Sequence, residues 1–180
     1  MSSSLEELIA SGYKARKGHR PEQAKEVFSE AVRLSRKTAA PLLLASSLTG
    51  LGQIERDLDH NDAAVQHYRE AVGILKGEPP DRLRFAHTIR HLADILREDG
   101  SPEEAAACYE EALKAYREHK ETPPLDLANA LRGFALLKGG IGENEQANSL
   151  WREARSLYES VNVQAGVEES ERQIARLKAK

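Results

Sequence analysis

With 40% hydrophobic and 31% charged residues in 180, the chain can build one compact domain or a short stack of repeats, and no second module is expected. The net charge of −3 argues against a nucleic-acid partner, and the single cysteine, Cys108, rules out an internal disulfide or a multi-cysteine zinc site, which suits a reducing cytoplasm. MSSSLEELIASG lacks the basic and apolar parts of a secretory leader, and the longest apolar run, Ala39–Ala45, falls far short of the ~20 residues that cross a bilayer.

In chain order, Ser4-Leu5-Glu6-Glu7 reads as a capping box opening a helix over about residues 5–17. Gly18-His19-Arg20 makes a turn, and Pro21 starts a helix to about Arg36 along the apolar stripe Ala24, Val27, Phe28, Ala31 and Leu34. Pro41 marks a third helix, ending near Asp57, with Leu44, Leu48, Leu51 and Ile54 inward; Asn61 is placed to cap a fourth, from Asp62 to Lys76. Gly77-Glu78-Pro79-Pro80-Asp81 stops that helix, since proline supplies no donor and disfavours helix in the residue before it. Arg82–Glu98 follows, with Phe85, Ile89, Leu92 and Leu96 inward, and then an Asp99-Gly100 turn. Ser101-Pro102-Glu103-Glu104 reads as a second capping box, and Pro123-Pro124 as a second proline link. Leu127, Leu131 and Phe134 lie on the next helix, whose C-terminal end Gly139, Gly140 and Gly142 are expected to loosen as a turn and possible hinge. A helix over about residues 144–159 carries Trp151, and a last one from about Gln164 to Lys178 has Val167, Ile174 and Leu177 on one side and mostly charge on the other.

These elements repeat. A small–aromatic–small triplet recurs as Ala24/Phe28/Ala31, Ala64/Tyr68/Ala71, Ala105/Tyr109/Ala112 and Ala147/Trp151/Ala154, at steps of 40, 41 and 42 residues. Twelve residues before each first alanine stands Gly12, Gly52, Ala93 or Ala135, with Leu8, Leu48, Ile89 or Leu131 four residues earlier. Two apolar stripes per period make each unit a helical hairpin, in which small residues allow close approach and rings fill the gaps. The fold expected is all-α: an α-solenoid of four hairpins over about residues 5–38, 41–77, 82–120 and 125–160, plus a C-terminal capping helix over about 164–178.

The paired motifs, a bulky residue then Leu-Gly or Leu-Ala, followed by A-x3-aromatic-x2-A, resemble the tetratricopeptide repeat across most of the chain. The period exceeds the usual ~34 residues, and in this the units are similar to the long repeats of kinesin light chains. The resemblance implies a protein–protein interaction scaffold that holds a peptide or partner segment on its inner face, with no catalytic residues and no cofactor. The Lys, Asn and Arg clamp with which some members hold C-terminal carboxylates is not carried over, because Ile9, Tyr13, Gly50, His87 and His91 stand at its positions.

The groove is expected opposite the apolar stripes of the first helices. Those positions are Tyr13, Arg16 and Lys17 in the first unit; Gln53 and Arg56 in the second; His87, Arg90, His91, Asp94 and Arg97 in the third; and Asn129, Arg132 and Leu136 in the fourth. Six basic residues against Glu6, Asp57, Asp94 and Glu98 make this face relatively positive, which suggests an acidic peptide held by guanidinium forks. The alternative is an ordinary solvated face with Arg90 and Arg97 paired to Asp94 and Glu98. Two other readings are a peptide sensor that changes curvature about the glycines near residue 140 and, less favoured, a metal-dependent enzyme using His87, His91 and Asp94; no metal is expected, because Arg90 and Arg97 repel a cation. Cys108 reads as a packed thiol and Trp151 as inter-helix packing. Exposed end faces leave self-association open.

Overall fold

The computed structural model describes residues 4–77 and 81–179; within them nine helices and no strand are found. In order these are α1 Leu5–Lys17, α2 Pro21–Lys37, α3 Pro41–Asp57, α4 Asn61–Gly77, α5 Arg82–Glu98, α6 Pro102–Glu118, α7 Pro124–Gly140, α8 Asn144–Ser160 and α9 Gln164–Lys178. Each helix packs on the next, and the odd-numbered ones also touch across units: α1 on α3, α3 on α5, α5 on α7. Across the even-numbered helices long side chains make the connection, as in Arg36–Glu70, Arg69–Glu104, Lys76–Glu111 and Arg117–Glu153. Closer spacing of the odd helices puts them on the inner side of an α-solenoid.

The recurrent rings are the rivets of this stack. Phe28, Tyr68 and Tyr109 are 0% exposed and Trp151 is 1% exposed, and full burial of such a side chain stabilises by roughly 1.5–3 kcal/mol. Each ring lies between the first helix of its own unit and that of the next. A Cβ at Gly50 would stand 2.3 Å from the Phe28 ring, and one at Gly133 would stand 2.6 Å from the Tyr109 hydroxyl. At the corresponding place in the third unit, 41 residues after Gly50, His91 instead stacks on Tyr68 at 5.8 Å between ring centres. The buried apolar residues form two clusters that meet at α4, one reaching back to Ile9 and the other forward to Val167.

Six helix ends close in the same way. The N–H of Arg20, Ala40, His60, Ser101, Glu143 and Val163 returns to the carbonyl five residues earlier, at 2.8 to 3.1 Å. Before each stands a residue with positive φ: His19, Ala39, Asp59, Gly100, Gly142 and Asn162. Such left-handed closures satisfy carbonyls that the helix end would leave unpaired.

These closures explain three departures from the sequence-based expectation. Ser4 forms its capping box with Glu7, but Ser101 does not: held at ψ 67° by the turn before it, it makes no side-chain cap, whereas Ser4 sits at ψ 155°. Asn61 is the first helical residue rather than the cap, for the same kind of closure ends at His60. Gly139 and Gly140 do not loosen α7; they lie inside it, and only Gly142 is in the turn. Glu78, Pro79 and Pro80 of the first proline link lie outside the described residues.

Candidate inner-face site

The inner face starts at α1, where Tyr13 meets Phe28 edge-on at 5.0 Å and stays 38% exposed. Arg16 reaches across to α3: Nε donates to Asp57 Oδ2 at 2.6 Å, Nη2 to Asp57 Oδ1 at 3.1 Å and Nη1 to Gln53 Oε1 at 3.0 Å. Lys17 is exposed and lines an open cleft with Tyr13, Arg16, His19, Pro21 and Asp57.

The Arg16 contact fixes which way the Gln53 amide points. Its Nε2 therefore faces His91 Nε2 at 3.0 Å and His87 Nε2 at 3.4 Å. Arg90 Nη2 lies 2.9 Å from the same His91 nitrogen, and His87 Nε2 lies 3.1 Å from it. A guanidinium only donates, so His91 Nε2 must accept and its proton sits on Nδ1, which is buried without a partner. Burial, with the Arg90 charge adding to it, pushes His87 down to about 4 and His91 well below the ordinary histidine value, so both rings are neutral at pH 7.

Arg90 donates through Nη1 to Asp94 Oδ2 at 2.6 Å, and the Tyr109 hydroxyl donates to Asp94 Oδ1 at 2.6 Å. A polar chain thus crosses α1, α3, α5 and α6. Beside it Arg56 grips both oxygens of Glu98 at 2.7 and 2.8 Å, Arg97 also donates to Glu98 at 2.8 Å, and the Thr49 and Thr88 hydroxyls pair in the interior at 3.1 Å.

From α5 to α7 the character changes. Among the described residues no side-chain hydrogen bond or ion pair joins them, and Gly133 fits against Asp94 and Tyr109. On α7, Arg132 grips Glu169 of α9 at 2.7 and 2.8 Å, Asn129 accepts from the Tyr158 hydroxyl at 2.8 Å, and Leu136 is half-buried in a recess with Trp151 and Leu177.

The expected groove residues therefore fall into two sets. Gln53 and Asp94, at 4% and 8% exposure, do not reach the surface as expected; packing of α3 and α5 on their neighbours buries them as internal ties, with His87, Arg90 and His91 half-buried around them. Tyr13, Lys17, Arg16, Arg56, Arg97, Asn129, Arg132 and Leu136 keep some exposure. The expected excess of free positive charge is largely consumed: Arg16, Arg56, Arg90, Arg97 and Arg132 each have a carboxylate partner. Asp94 turns toward Arg90 and Tyr109 rather than toward the histidines, and no group of three His, Cys, Asp or Glu able to hold a metal occurs among the described residues. Sequence reasoning missed Glu169 and Tyr158 as partners. The signal for the other ties was the dipeptide Arg16-Lys17, Arg56-Asp57, Arg97-Glu98 at unit spacing.

Comparison with known proteins bears on these units. The sequence model of the tetratricopeptide repeat matches residues 44–76 and 85–119, within α3–α4 and α5–α6 and, at its end, the turn after α6. No curated protein matches the chain. Among solved structures, BtubC (BKLC) from P. vanneervenii shares the fold with a TM-score of 0.71 at 15% identity, over 99% of this chain and 94% of its own. The chain thus carries the tetratricopeptide-repeat sequence in two of its hairpins, within a helical-repeat fold that it shares with BtubC along its whole length.

Proposed function

We propose that the array is a non-catalytic scaffold that holds an extended or helical segment of a partner protein along its inner face. Tetratricopeptide repeats generally mediate protein–protein interaction. The observation that carries the finer reading is the preformed inner surface: Arg16, Arg56 and Arg132 are held by two-point contacts with Asp57, Glu98 and Glu169, so a partner meets side chains already ordered. The contact set comprises Tyr13, Arg16, Lys17, Arg56, Arg97, Asn129, Arg132 and Leu136, with Gln53, His87, Arg90, His91 and Asp94 as the framework behind them. Reversing the charge of Arg90 is then a structural lesion rather than a probe of binding, since its side chain is 14% exposed and bound to Asp94. A cytoplasmic setting fits the free, buried Cys108, and no helix is long and apolar enough to cross a membrane among the described residues.

A photo-reactive residue at position 97 or 136, on the inner side, or at the exposed outer positions 66 or 110, tests the face used. Partner proteins should be trapped from the inner positions; equal or exclusive trapping from the outer ones overturns the reading. The bare seam between α5 and α7 favours a second reading, in which the partner also changes the curvature there. Small-angle scattering with and without a trapped partner should then show a changed maximum dimension, and an unchanged profile dismisses it.

A further inference from the structure

The last helix, α9, is built on the plan of a first helix. Eleven residues after its first residue stands Ala175, as Gly52, Ala93 and Ala135 stand eleven after those of α3, α5 and α7. Ile174 precedes it where Leu51, Leu92 and Phe134 precede the others. In those three hairpins the second helix covers the pair: Ala93 and Ala135 are 0% exposed, and a Cβ at Gly52 would stand 2.9 Å from the Tyr68 ring. On α9 no helix of the described residues does so, for Ala175 is exposed and Ile174 half-buried. With Arg152 and Arg155 of α8 they line an open cleft of about 500 Å³, rimmed by Glu171 and Lys178.

The contacts between neighbouring second helices indicate what the cleft would receive. Arg69 of α4, five residues after the first alanine of its triplet, donates to Glu104, which immediately precedes the first alanine of α6. Arg152 holds the place of Arg69 in α8, is exposed, and among the described residues donates only to Asn148, at 2.7 Å. A second rung runs from Arg36, Lys76 and Arg117 to Glu70, Glu111 and Glu153, each six residues after a first alanine. In α8 the donor's place is taken by Glu159, which reverses the sign.

We propose that the cleft between α8 and α9 is a socket for one more second helix, supplied by a partner protein. The helix it takes is amphipathic and carries a small–aromatic–small triplet, whose ring lies on Ala175 as Tyr68 lies on Gly52. An acid immediately before the first small residue meets Arg152, and a base six residues after it meets Glu159. The reversed rung selects against the second helices of another copy, which carry Glu30, Glu70, Glu111 and Glu153 at that place. Glu171 stands where Leu48, Ile89 and Leu131 stand in the hairpins, and Arg155 holds it at 2.9 Å, so the rim stays solvated when the socket is empty and docking is reversible. The socket extends the outer row of helices and is separate from the inner face.

The test uses the full chain and a fluorescein-labelled synthetic helix with the sequence of α6, carrying Cys108→Ser and Glu111→Lys. A lactam between Glu110 and Lys114, both exposed in α6, holds it helical. Anisotropy should show saturable binding. Ala175→Leu in the chain, at an exposed position, or Tyr109→Ala in the helix should weaken it about tenfold. Arg152→Glu should weaken it about threefold, and Glu104→Lys in the helix should restore it. No saturable binding overturns the proposal, as does unchanged binding with either the Ala175→Leu chain or the Tyr109→Ala helix, or a charge swap that restores nothing. Sedimentation of the chain alone that shows a dimer dissolved by Ala175→Leu overturns it in favour of a second copy on this face.

Discussion

The inner seam between α3 and α5 and the one between α5 and α7 solve the same packing problem in opposite ways. In the first, His91 presents a ring to Tyr68, and a ring nitrogen there obliges the neighbourhood to supply Gln53, His87 and Arg90. In the second, Gly133 presents nothing, and Tyr109 closes the gap directly. A large polar residue at the crossing point thus brings a network with it and fixes register; a glycine allows close approach with no polar tie across the seam.

The comparison breaks most visibly at Asp94, which serves both seams. Asp94→Ala removes the acceptor of Arg90 and Tyr109 together and should cost about 3 kcal/mol, because a desolvated guanidinium and a hydroxyl are left unpaired; urea unfolding measures it. Gly133→Val tests the other seam. Its new methyl groups would press on Tyr109 and Asp94, for a loss of about 2 kcal/mol, whereas Gly73→Ala, with open space around it, should be neutral or gain up to ~1 kcal/mol.

Acid should separate the seams by pH. His87 and His91 take up protons readily in the unfolded chain, near pH 6.5, but resist them when folded, with His87 at about 4. The unfolded state therefore binds more protons in this window, so the histidines' contribution is complete above about pH 6.5 and is lost as pH falls toward 4. The slope approaches ~1.4 kcal/mol per pH unit for each proton of difference. H87Q/H91Q should flatten that part of the stability profile, and an unchanged slope would show that other groups set it. The smallest effect belongs to the outer face, where Arg69→Ala breaks an exposed pair with Glu104 and should shift stability by less than ~0.5 kcal/mol.

The fold was legible because it is written in residue size at a fixed period: Phe28, Tyr68, Tyr109 and Trp151 with their flanking alanines prescribe hairpins whichever way the stack bends. The inner face was legible only as positions. Which side chains remain exposed depends on how closely successive first helices approach, and that is set by the twist between units rather than within any one of them. Gln53 lies on the face opposite the core stripe, yet α1 and α5 cover it. Ser101 carries a capping sequence, but the left-handed Gly100 before it sets its backbone.

That left-handed closure has an evolutionary and engineering consequence. His19, Asp59, Gly100 and Gly142 occupy one equivalent point in four hairpins, yet two of the four carry a β-carbon at φ 53° and 61°. The bend is thus dictated by the helices it joins and imposed on whatever residue arrives there, which leaves the loop free to vary while the architecture persists. Ala39, at φ 51°, bears the same imposition between units. Ala39→Gly should release it and raise the melting point, by the equivalent of ~1 kcal/mol.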